Sequence, residues 1–124
     1  MSNMPRLPDA ELEIMKLLWD TGEPLSTNDI VQSFKETRGW SVSTVITLTR
    51  RLAKKGFVRT EKKGRSHYFS PQIKEKDYLS NETKTFLEKL HNNSFKSLVA
   101  TLYSNKDITK EDIEELSTLL EELD

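Results

Sequence analysis

Residues 39–70, GWSVSTVITLTRRLAKKGFVRTEKKGRSHYFS, decide the fold. Ser41 stands as a helix N-cap, and residues 42–55 carry apolar side chains at helical spacing. On a helix Val45, Leu48 and Leu52 fall in one narrow arc, a stripe to bury. The opposite side holds Ser43, Thr47, Arg50 and Lys54, with Ile46 at its edge and Thr44, Arg51 and Lys55 flanking. Gly56 stops the helix. Residues 57–61 alternate as a strand, Lys62-Lys63-Gly64-Arg65 make a turn, and residues 66–70 return as a second strand closed by Pro71. Between Arg50 and Arg65 stand eight Lys/Arg against one acid, a local charge of +7 in a chain of net −1. Small hydroxyls at the start of a helix can approach base edges, and long cations at its end reach phosphates. The stretch therefore reads as a recognition helix followed by a basic wing.

Upstream, the chain supplies what such an element needs. Residues 9–20, DAELEIMKLLWD, predict a first helix, with Asp9 and Glu11 in the turn where the helix dipole favours carboxylates. Leu12, Met15 and Trp19 recur on one face, widened by Ile14 and Leu18. Residues 26–37 predict a second helix, with Ser26 and Asp29 as a near capping box and Ile30, Val31 and Phe34 on its buried side. Pro24-Leu25 is placed to form a short strand against the hairpin, and Trp40 to pack. Three helices and a basic-tipped hairpin define the winged variant of helix-turn-helix, whose target is double-stranded DNA. His67 and His91 lack ligand-spaced partners and read as surface or packing residues.

From residue 74 the pattern changes to amphipathic helices at 74–92, 94–104 and from Thr109 onward, the last capped by Thr109 with Asp112. Their apolar points include Tyr78, Leu79, Phe86, Leu90, Phe95, Leu98, Val99, Leu102, Ile113, Leu116 and Leu120. Three short helices bury such stripes poorly alone, and two intertwined copies bury them well. A homodimer also matches the two half-sites of a palindrome. The expected division is a DNA-binding domain at 1–72 and a helical dimerisation domain at 73–124, carrying net charges of +4 and −5. The architecture expected is mainly α with one small β-hairpin.

With no cysteine, thiolate metal sites, disulfides and a cysteine nucleophile are excluded. No apolar run is long enough for membrane insertion and no signal-peptide core is visible, which points to a cytoplasmic protein. No cofactor or metal is expected. An enzyme would need a nucleophile–base pair, a ligand cluster or a phosphate cradle, and none is legible. A protein-interaction module using the same winged surface remains the alternative.

The phrases DAELEIMKLLWD, GWSVSTVITLTRRLAKKGFV, KGRSHYFSP and DITKEDIEELSTLLEEL, in this order and spacing, resemble the penicillinase-repressor family of bacterial regulators (BlaI/MecI/CopY type). The resemblance covers nearly the whole chain. It implies a homodimeric repressor that occupies a palindromic operator of antibiotic-resistance-type or related genes. It also implies contacts from Ser41, Thr44, Thr47 and Arg51 and from Arg65 in the wing, to which the charge pattern adds Arg50, Lys54, Lys55 and Lys63. Many β-lactamase regulators have Pro-Lys where this chain has Val42-Ser43, and a polar or basic residue at Ile46, which suits a thymine methyl instead. In that branch induction involves a membrane sensor-protease that leads to cleavage of an Asn-Phe bond, which corresponds here to Thr101–Leu102. The copper-responsive branch uses a cysteine cluster that this chain lacks.

Overall fold

The computed structural model describes residues 4–123. The elements run α1 (Asp9–Thr21), β1 (Leu25–Ser26), α2 (Thr27–Ser33), α3 (Val42–Lys54), β2 (Val58–Lys63), β3 (Ser66–Pro71), α4 (Glu75–His91), α5 (Phe95–Ser104) and α6 (Lys110–Leu123). The chain forms two compact units that divide between Asn81 and Glu82.

In the first unit, β1, β3 and β2 lie in that order in an antiparallel sheet. The hairpin register pairs Val58 with Pro71 and Lys63 with Ser66, so the turn is only Gly64 and Arg65. Gly64 takes φ +64°, a left-handed value that costs a residue with a Cβ about 1 kcal/mol or more. Lys62 and Lys63, expected in the turn, instead extend β2, because a two-residue loop matches the twist of paired strands. The short strand before α2 is present one residue later than expected, pairing Leu25 with Phe69 and Ser26 with Tyr68.

Ser26 starts α2 as the sequence indicates. Its Oγ accepts from Asp29 N at 3.0 Å, and Asp29 Oδ2 accepts from Ser26 N at 2.9 Å. The helix proper ends at Ser33, four residues earlier than expected. Phe34 turns back to stack on Trp40, with ring centroids 4.7 Å apart. Arg38 lies over the same indole, and its Nε donates to Glu13 Oε1 at 3.0 Å, fastening the loop to α1. That guanidinium holds the Glu13 carboxyl below the usual carboxylate range, first by hydrogen bonding and then by charge.

Ile14, Met15 and Leu18 of α1, Ile30 of α2, Val45, Leu48 and Leu52 of α3, Phe57 just before β2, and Val58 and Phe69 of the sheet close the core. The stripe on α3 is the one its periodicity predicts. On α1 the centre shifts: Ile14 and Leu18 are fully buried, whereas Leu12 and Trp19 sit at the edge.

The first turns of α4 complete this unit. Tyr78 packs edge-on to Phe57 at 5.7 Å, and its hydroxyl accepts from Leu7 N at 3.0 Å. Asn81 Nδ2 donates to Met4 O. Tyr78, expected among the dimerisation residues, is therefore a core residue of the first unit. The composition change at 72/73 did not reveal this, because an aromatic on an amphipathic helix carries no mark of which neighbour it meets.

The second unit is helical. Asn92 and Asn93 take positive φ after α4, as their tolerance of the left-handed region allows. Ser94 caps α5 by accepting from Ser97 N, and Thr109 and Asp112 exchange the two bonds of a capping box before α6. No residue of α5 or α6 is buried.

Candidate nucleic-acid interface

The site is built on α3 because one face of that helix fills the core and the other is exposed. Ser41 Oγ accepts from Thr44 N at 3.2 Å and lies 3.1 and 3.0 Å from Ser43 Oγ and Thr44 Oγ1. Thr47 Oγ1 donates to Ser43 O at 3.0 Å. The hydroxyls at the start of the exposed face are thus tied to their own helix. Thr49, next to the stripe, is buried and donates back to Val45 O. Beyond them Arg50, Arg51 and Lys54 are exposed.

The wing brings its cations alongside. Lys63 and Arg65 are exposed at the hairpin tip, with Lys63 Nζ 5.8 Å from the Tyr68 ring centroid. Between wing and helix run two adjoining hollows of about 280 Å³ each. Ile46 and His67 border both; Arg50 lines one, Val42 and Arg65 the other. Thr27 at the start of α2 reaches both as well. The structure therefore brings Ile46, Arg50 and Arg65, which the sequence reading selected, onto one notch.

Lys55 does not join them. Its Nζ donates to Glu11 Oε1 at 2.6 Å, and Glu11 is only 1% exposed. An ammonium facing a buried carboxylate satisfies it at short range, whereas a distant phosphate would leave that carboxylate desolvated and unpaired. Lys55, expected as a phosphate anchor, ties the end of α3 to α1. The pair spans 44 residues of sequence, so no helix spacing could disclose it. Val42 and His67 were not selected either. In the sequence Val42 stands out only as part of the Val42-Ser43 departure from Pro-Lys, and His67 only as a histidine without ligand-spaced partners.

Among the described residues, no group of His, Cys, Asp or Glu has a metal-holding arrangement, and no helix is long and apolar enough to cross a membrane. An exposed helix face with a cationic end, flanked by a cationic hairpin and carried on a three-helix core, defines a winged helix-turn-helix protein. The pattern of the family described as "Penicillinase repressor" matches residues 7–122, and the chain belongs to that family. It is 35% identical over 122 residues to the "Penicillinase repressor" of Bacillus licheniformis, covering 98% of this chain and 94% of that protein. It is 32% identical to "Methicillin resistance regulatory protein MecI" of Mammaliicoccus sciuri, over 92% of each. Among solved structures, the DNA-binding domain of the repressor BlaI superposes with a TM-score of 0.54 at 38% identity, covering 63% of this chain and 94% of that one. The Bacillus licheniformis BlaI monomer in complex with the blaP half-operator gives a TM-score of 0.52 at the same identity and coverage.

Proposed function

We propose that this protein is a transcriptional repressor that binds operator DNA through α3 and the β2–β3 wing. The observation that carries this is the open face of α3, with Arg50, Arg51 and Lys54 along one end and Lys63 and Arg65 beside it. A relative's structure with a half-operator supports the same use of the fold. Ser41, Ser43, Thr44, Ile46 and Thr47 lie at the base edges in this reading, and the cations neutralise phosphates on either side. Controlled genes of the antibiotic-resistance type follow from the penicillinase and methicillin-resistance relatives.

The repressor acts as a homodimer. What supports this is the second unit, where Phe86, Leu90, Phe95 and Leu120 are exposed and Leu98, Val99, Leu102, Ile113 and Leu116 are only half-buried within one chain. Leu79, on the first unit's stretch of α4, is exposed as well. A second copy covering these side chains gives each the burial its own chain withholds. Release by a membrane sensor-protease system acting at Thr101–Leu102 belongs to the same reading of a cytoplasmic repressor. That bond lies inside α5, so the helix must open before a protease can take it.

The test is selection of DNA from a random pool, followed by gel-shift titration of the selected fragments. Palindromic fragments with half-site centres one or two helical turns apart are expected. Recovery of no preferred sequence would overturn the reading.

A further inference from the structure

The open face of α3 is not uniformly polar. Val42 is 51% exposed and Ile46 is 40% exposed. They stand at i and i+4, on one side of the helix, and both border the hollow shared with Arg65 and His67. Neither β-branched side chain is needed by the core, which Val45, Leu48 and Leu52 fill from the other side. The hydroxyls around them are engaged: Thr47 donates to Ser43 O, and Ser41 Oγ is held by Thr44 N. Their remaining capacity is mostly to accept, which leaves much of the base code unread.

Two apolar side chains exposed in the middle of a cationic surface need an apolar feature on a polyanion. In the major groove only the C5-methyl of thymine offers one. We propose that Val42 and Ile46 are a paired methyl reader that fixes two thymines in each half-site. The proposal rests on the DNA-binding reading above and deepens it. A separation of four residues along a helix is about 6 Å, and successive bases of one strand are about 3.4 Å apart, so the two thymines lie about two base steps from each other. Arg50 and Arg65 flank the pair and hold the backbone, so that methyl contact is measured at short range.

The experiment uses the full-length protein and the fragments it selects from a random pool, synthesised with thymine or with uracil, which lacks only the methyl. Replacing thymines one at a time should weaken binding at two positions about two steps apart. Each loss should be roughly fourfold, the equivalent of one buried methyl, and about fifteenfold together. Val42→Ser with Ile46→Ser should lose the same factor on thymine DNA and become indifferent to uracil. Equal binding of both DNAs by the unaltered protein, with a sequence preference still present, overturns the methyl reader and leaves DNA recognition standing. A doubly substituted protein that still distinguishes thymine from uracil assigns the methyl contact to other residues and overturns it too. Failure to select any sequence removes the parent reading, and the methyl reader with it.

Discussion

Arg51 and Lys55 are four residues apart on the same run of cations, yet the structure gives them opposite fates. Arg51 is exposed and has no acidic partner among the described residues, so it is available to a phosphate. Arg51→Ala should weaken binding to every DNA and reduce the slope of log affinity against log salt by about 1, read by gel shift at several salt concentrations. An unchanged slope would place the backbone elsewhere. Lys55→Ala should act on stability instead, by about 3 kcal/mol in urea unfolding, because it strands the buried Glu11 carboxylate. Restoring an uncharged interior with Glu11→Gln in the same protein should recover part of that loss. The Arg38–Glu13 pair adds a pH signature. A carboxyl whose folded value is depressed contributes stability above the ordinary Glu value of about 4.3, and that contribution fades as pH falls below it. Glu13→Gln should therefore narrow the stability difference between pH 7 and pH 3. Because the Arg38 and Glu13 side chains are 41% and 34% exposed, solvent screening keeps the effect small.

At the scale of elements, the capping signals were the most legible part of the chain. Ser26–Asp29, Ser41 and Thr109–Asp112 each sit at a helix start, since a side-chain oxygen three residues before a free N–H is a local matter. Ser26→Ala should cost about 1 kcal/mol by thermal or urea unfolding, as the Asp29 N–H at the start of α2 loses its acceptor while the Ser26 N–H keeps the Asp29 carboxylate. The stripe of α3 was legible for the same reason: a core face declares itself by spacing. Helix ends were less so. Residues 34–38 have helix-forming composition, but the Phe34–Trp40 stack and the Arg38–Glu13 pair draw them into turns, and both partners lie outside the local window. The α3 face was legible as polar, and its apolar insertion at Val42 was not, because exposure of a first-turn valine depends on what the wing and α2 leave uncovered.

For the whole molecule, the change from a basic first part to an acidic second part was visible in charge alone. Where one compact unit passes to the next was not, since Tyr78 and Asn81 belong by contact to the first unit although they follow the composition change. The proposed dimer makes a prediction at this scale. Phe95→Asp or Leu120→Asp should shift the protein from dimer to monomer in sedimentation equilibrium, with the half-site affinity of each copy nearly preserved and the affinity for the full palindrome reduced by about 10² or more. A substituted protein that remains dimeric would move the interface to other side chains.

The Glu11–Lys55 bond has one more consequence, for any attempt to map the surface by covalent labelling of amines. Lys54 and Lys55 are neighbours in sequence, yet they report on different events. An acylating reagent should find Lys54 readily in the free protein and lose it when DNA is added. Lys55, half-buried and held by a carboxylate, should react slowly in both states and become reactive only on denaturation. One residue serves as a footprint of the ligand, and the next as an internal clock of unfolding.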